Sequence, residues 1–248
     1  MSSTHRHLLV ASLGTVGYTD ALELQRAAAR ARLDGRLDQD LLILVEHPPV
    51  VTTGRSTKDG HLLLSAANLA ARGIELFDVE RGGDVTFHGP GQLVGYPIID
   101  LKRHKEDLHW YLRQVEQLLI DALAAIGIVA NQNIGKTGVW TNDRKIASIG
   151  VHARQWVTWH GFALNVTTDL SYFDVMVPCG ITDVVMTSVA RELLEQNIST
   201  CFAPSASLFD DVRTAVIAAT AARFGLSAVA IDADALRTTL AAPSVPSP

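Results

Sequence analysis

Residues 41–46 read Leu-Leu-Ile-Leu-Val-Glu. An apolar run of strand length with no polar face to turn toward water belongs in a sheet covered on both sides. Such a strand needs helices to cover it, and three segments of the chain answer. From Asp107 to Ile126, Leu108, Leu112, Val115, Leu119, Ala122 and Ile126 mark one helical face. Glu106 and Asp107 open that helix, where the macrodipole favours acidic groups, and Gly127 stops it. A helix is expected over Thr19–Leu33, with Thr19 as its cap and Leu24, Ala27, Ala28 and Ala31 on one face. A last amphipathic helix is expected over Ser207–Phe224, ended by Gly225.

The remaining strand signals are His7–Leu13, Val50–Thr53, Ile74–Val79, the residues leading to Ile99, Thr137–Trp140, Lys145–His152 and Trp156–Val166, with a turn at Asn142-Asp143. Short helices fit Leu62–Ala71 and Val189–Gln196. No repeat and no linker-like shift in composition divides the chain. The expectation is α/β, a mixed sheet with flanking helices, in one domain over residues 1–240, with a disordered tail at 241–248.

Composition excludes several function classes. The chain has 248 residues, 48% of them hydrophobic and 19% charged, enough to bury a substantial core. Its net charge of −5 gives no broad footprint for nucleic acid or an anionic membrane. No signal peptide and no transmembrane run is legible, so a cytoplasmic protein is expected. The two cysteines, Cys179 and Cys201, form no disulfide framework and no CxxC. Nine histidines fall into no metal-ligand spacing, so no metal is expected. Gly135-Lys136-Thr137 lacks the earlier glycine of a P-loop, since Ala130 stands there.

Three features can carry chemistry. Cys179 sits between Pro178 and Gly180, a setting that suits an exposed nucleophile, although a buried small apolar residue reads the same way. Lys145 is one of only five lysines among 21 basic residues. In a strand it shares a face with Ala147, Ile149 and Val151. Beside a thiol it can stabilise the thiolate or exchange its proton; at a strand end it can instead reach water. Residues 81–92 hold four glycines, which lets an elongated ligand run against bare backbone or simply makes a turn. There Arg81 can hold a carboxylate or phosphate, and His88 can polarise a carbonyl.

Five motifs run in order through the chain: Glu46-His47-Pro48-Pro49-Val50 with Thr53-Gly54-Arg55; RGGDVTFHGPGQLVGYP at 81–97; KIASIGVH at 145–152; HGFALNV at 160–166; and VPCGI at 177–181. Together they resemble the lipoyl(octanoyl) transferases of lipoate biosynthesis, within the biotin/lipoate-protein ligase superfamily. The resemblance implies the catalytic-domain fold of that superfamily and an acyl transfer without a cofactor. Octanoyl would arrive as a thioester on acyl carrier protein. Cys179 would take it as an acyl-enzyme, with Lys145 lowering the thiol's pKa. A lysine of a lipoyl domain, in a 2-oxoacid dehydrogenase E2 subunit or the glycine-cleavage H protein, would accept it. Arg81, Gly82, Gly83, Asp84, Val85, Thr86, Phe87 and His88 would line the acyl pocket with Ser148, Ile149, Gly150, Gly161, Phe162 and Ala163. The family often has Tyr where Phe87 stands, so a hydroxyl contact to substrate is lost here. Partner docking would use a local basic patch of Arg55, Lys58 and Arg81. The competing readings are an ATP-dependent lipoate- or biotin-protein ligase, which would not need Cys179, and a non-catalytic acyl-binding module.

Overall fold

The computed structural model describes residues 6–176, 184–196 and 206–241. The apolar run forms an interior strand of the main sheet. β2 (Asp40–Glu46) lies between β1 (His7–Thr15) and β6 (Gln92–Ile98), and all of its residues but Glu46 are buried. Its side chains divide by the pleat. Leu42 and Leu44 pack with α3 (Leu108–Ala125) and α5 (Ala206–Phe224). Leu41, Ile43 and Val45 pack with α1 (Tyr18–Leu33) and α6 (Ala233–Ala241). Both faces are therefore covered, as the sequence requires.

The sheet continues through β10 (Val157–Asn165), β9 (Arg144–Arg154), β8 (Lys136–Thr141) and a short β7 (Asn131–Asn133). On the other side of β1 lies β11 (Ser227–Ala230), giving eight strands. β1 is parallel to both β2 and β11, and the other pairs are antiparallel. A second, three-stranded sheet holds β3 (Val50–Thr53) between β4 (Glu75–Asp78) and β5 (Thr86–His88). The fold is α/β with a large mixed sheet and flanking helices.

Local chemistry sets most boundaries. The Asp107 carboxylate accepts from the Trp110 amide and caps α3. Asn142 and Asp143 take φ of 47° and 59°, the paired left-handed turn that joins β8 to β9. The helix expected over Leu62–Ala71 shortens to α2 (Ala66–Ala70), because Ser65 caps it by accepting from Asn68 N. Thr19 caps nothing: α1 begins at Tyr18 with Gly17 at its N-cap and no side-chain cap there. Nor is α5 the last helix, since β11 and α6 follow it. α4 (Val189–Glu195) is capped by Ser188. Among the described residues no helix is long and apolar enough to cross a membrane.

Candidate active site

The β9–β10 register brings two of the sequence motifs together. Ser148 pairs with Ala163, Ile149 with Phe162 and Gly150 with Gly161. β6 lies on the far side of β10, with Gly95 opposite Phe162 and Val94 opposite Ala163. The Phe162 ring needs that glycine, because a Cβ on Gly95 would stand 2.1 Å from Phe162 Cζ. The glycine-rich loop then crosses β9. Gly82 N donates to Val151 O at 2.8 Å, and Arg55 N and Ser56 N donate to Arg81 O and Gly83 O, each at 3.0 Å.

These segments line a narrow cavity of about 50 Å³. Its walls carry Arg81, Gly83, Asp84, Val85, Thr86, His88, Lys145, Ser148, Ile149, Gly150, Gly161, Phe162 and Ala163. Two of the expected residues lie off the wall. Gly82 is the loop's anchor to Val151, and Phe87 turns away into a separate cluster. The sequence reading missed four wall residues: Tyr18, Val94, Tyr96 and His160. His160 was the most findable, being an imidazole in a strand whose nine residues are all buried. Tyr18 lies far away in the sequence and gives no signal.

Lys145 is 2% exposed. Its backbone is held on both sides: the amide donates to Val185 O at 2.8 Å, and Thr187 N donates to its carbonyl at 3.0 Å. Gly138, with φ of 133°, leaves room for the side chain; a Cβ there would stand 2.7 Å from Lys145 Cε. The ammonium lies 5.6 Å from the centroid of the Trp140 ring, within reach of a cation–π attraction. Cys179 and Cys201 lie outside the described residues.

Arg81 stands in the wall and has a structural job there as well. It is 6% exposed, and its guanidinium donates to Thr52 O at 2.8 Å, to Thr52 Oγ1 at 2.9 and 3.1 Å, and to Gly82 O at 3.1 Å. It braces the loop against β3. Burial also removes it from the expected docking patch, of which Arg55 and Lys58 are exposed. Asp84 is similarly engaged, accepting from His61 and from Val85 N.

Two buried imidazoles stand behind the loop, and burial is the main reason that both are hard to protonate. His47, pushed down to about 4, donates from Nδ1 to Val16 O and accepts the Tyr96 hydroxyl at Nε2, both at 2.6 Å. His88, pushed down to about 3, donates from Nδ1 to Gln92 Oε1 at 2.9 Å. Its assignment as the group that polarises a carbonyl does not hold: with Nδ1 carrying the proton, the neutral ring offers Nε2 as an acceptor. Among the described residues no group of His, Cys, Asp and Glu is arranged to hold a metal ion.

Phe87 is fully buried, stacked on Tyr172 at 4.6 Å and edge-on to Phe173. The far end of its ring lies where a Cβ on Gly89 would be, 2.4 Å from Cζ. A hydroxyl there is crowded and buried. The Phe87→Tyr protein is therefore expected to lose about 1–3 kcal/mol of stability and to gain no acylation rate. Denaturant midpoints and single-turnover rates check both halves; a clear rate gain places that ring end at the substrate.

The fold is that of a known domain. The model of the lipoyl protein ligase A/B catalytic domain matches residues 17–203, and the chain belongs to that family. Solved structures share the fold at low identity. Lipoate-protein ligase A bound with ATP superposes with a TM-score of 0.70 and 15% identity, over 96% of this chain and 93% of that one. A bi-partite lipoate protein ligase from Thermoplasma acidophilum gives 0.68 and 16%, over 95% and 91%. Within the family the chain is an acyltransferase that stands with the octanoyltransferases. The octanoyltransferase of Acidobacterium capsulatum is 49% identical over 74% of this chain and 80% of its own. That of Solibacter usitatus is 50% identical over 75% and 84%.

Proposed function

We propose that the protein moves an octanoyl group from a thioester on acyl carrier protein to a lysine amine of a lipoyl domain, through a thioester on Cys179. The observation that carries this reading is a buried lysine, Lys145, in the wall of a cavity shared with the glycine-rich loop. Chain connectivity supports the pairing: Val185, which hydrogen-bonds the Lys145 amide, follows Cys179 by six residues.

The Cys179 thiolate attacks the thioester carbonyl. A new C–S bond forms, the carrier's C–S bond breaks, and the carrier sulfur leaves as a thiolate that takes a proton. Lys145 favours the Cys179 thiolate by its charge and can pass that proton. The lysine amine of the acceptor then forms the amide and releases Cys179. Val85, Val94, Ile149, Phe162 and Ala163 supply apolar wall for an alkyl chain. The energy comes from the thioester, and the expected acceptors are E2 lipoyl domains and the glycine-cleavage H protein.

Intact-protein mass spectrometry tests this directly. The protein is mixed with octanoyl–acyl carrier protein without ATP, and an apo lipoyl domain is added afterwards. One octanoyl group is expected on the protein, none on Cys179→Ser, and transfer of that group to the lipoyl domain. Transfer that appears only with free octanoate and ATP makes the protein a ligase and removes the role of Cys179.

A further inference from the structure

The tautomer of His88 is fixed by two backbone carbonyls it never touches. Asn165 Nδ2 donates to Thr187 O at 3.0 Å, so Asn165 presents its oxygen to the next residue. Gln92 Nε2 donates to that oxygen at 2.9 Å and to Phe87 O at 3.2 Å. Gln92 therefore turns its own oxygen to His88, whose Nδ1 must carry the proton. The chain of amides admits no flipped alternative, because each carbonyl end can only accept. Its last link, Thr187, donates its amide to the carbonyl of Lys145.

His88 Nε2 is left as a lone-pair acceptor in the cavity wall, without a hydrogen-bond partner among the described residues. The neighbouring His47 shows the contrast, since its Nε2 is spent on the Tyr96 hydroxyl. Tyr18 stacks parallel to the His88 ring, 6.1 Å away at 9°. The titratable groups that face His88 are His47, Arg81, His160 and Tyr18; none of them is a carboxylate that would draw a proton onto the ring. Burial holds the ring neutral down to about pH 3. A bare imidazole nitrogen against an alkyl chain is a costly arrangement, so the site is built for a hydrogen-bond donor. An acyl thioester has no donor on its acyl group or its carbonyl. A lysine amine has two N–H bonds once it is neutral, and it reacts only when its lone pair faces the carbonyl carbon.

We infer that His88 Nε2 holds an N–H of the incoming lysine amine while that amine attacks the acyl group. The inference rests on the transfer to a lysine amine proposed above. In the step the nitrogen lone pair forms the C–N bond, the C–S bond breaks toward the Cys179 sulfur, and one N–H proton ends on that sulfur. His88 does not take the proton, because its imidazolium is far too acidic. It orients the nucleophile, and the Gln92–Asn165 pair is a positioning device that keeps the acceptor nitrogen bare.

The test separates the two half-reactions. The wild-type protein is first loaded from octanoyl–acyl carrier protein and then chased with an apo lipoyl domain, each followed by intact mass. Failure of the wild type to load or to discharge removes the proposed function itself. With both steps present, His88→Phe, which keeps a ring beneath Tyr18, is expected to load within about twofold of wild type and to discharge at least about tenfold more slowly. Equal slowing of both steps, or slowing of loading alone, overturns the inference; the latter assigns Nε2 to an amide N–H of the carrier arm. Should His88→Phe fold poorly, ¹⁵N spectra of histidine-labelled wild type decide. Nε2 of His88 is expected to read as an unprotonated nitrogen from about pH 5 to 8. A protonated Nε2 overturns the inference.

Discussion

The Lys145→Met protein is expected to form acyl-enzyme about 10²–10⁴ times more slowly than wild type while remaining folded. The rate loss is the usual worth of a positioned proton-transfer or charge-stabilising group. The stability expectation comes from burial. Lys145 is 2% exposed, and an unbranched apolar side chain of similar length fills the same buried space. Structural and chemical roles are thus separated by one substitution. Lys145→Arg is expected to stay slow, because guanidinium keeps its proton and is bulkier beside Gly138, where the lysine chain already fits closely. Single-turnover loading followed by mass, with denaturant midpoints on the same samples, checks both statements. A Lys145→Met protein that loads at the wild-type rate leaves Lys145 as a sheet residue only.

The second large effect is on stability in mild acid. An imidazole that is neutral in the fold and titrates near 6.5 when unfolded contributes stability that is complete above pH 6.5. That contribution falls as the unfolded chain takes up protons which the folded chain refuses. His47, at about 4, and His88, at about 3, both have this sign, and burial lowers His152 and His160 in the same direction. For the first two, the loss amounts to on the order of 3–5 kcal/mol each once the pH has passed their folded values. A typical domain has about 5–15 kcal/mol in all. Between pH 6.5 and 4.5 most carboxylates are still charged, so the decline in that window belongs to the histidines. Urea midpoints are expected to drop steeply across it, and less steeply in His88→Phe. A flat profile would mean that these rings are not held neutral.

The sequence was most readable where one physical demand acted alone. Leu41–Val45 had no polar face and became an interior strand, buried on both sides. Asp107 and the Asn142-Asp143 turn carried their own local geometry. The site was readable through its motifs, because thirteen of the wall residues fall in segments 81–88, 145–150 and 161–163. The departures share a cause. Phe87 has the composition of a ligand-facing residue, but tertiary packing turns it into an aromatic cluster, while Arg81 keeps its place in the wall and also braces Thr52. Tyr18 reaches the cavity only because α1 crosses the sheet there. All four residues of β11 are exposed, so that strand has no alternation of buried and exposed positions.

β11 pairs with β1, so the strand nearest the start of the chain waits for one of the last to be made. The match to the family ends at residue 203, before α5, β11 and α6. During synthesis, then, the cavity-forming strands β6, β9 and β10 emerge while one flank of β1 is still bare and the face that α5 will cover is open. A nascent chain halted there would present a sticky, half-roofed sheet to its neighbours. The last segment acts as a clasp: it supplies no cavity wall, yet it decides when the molecule stops being vulnerable to its own kind.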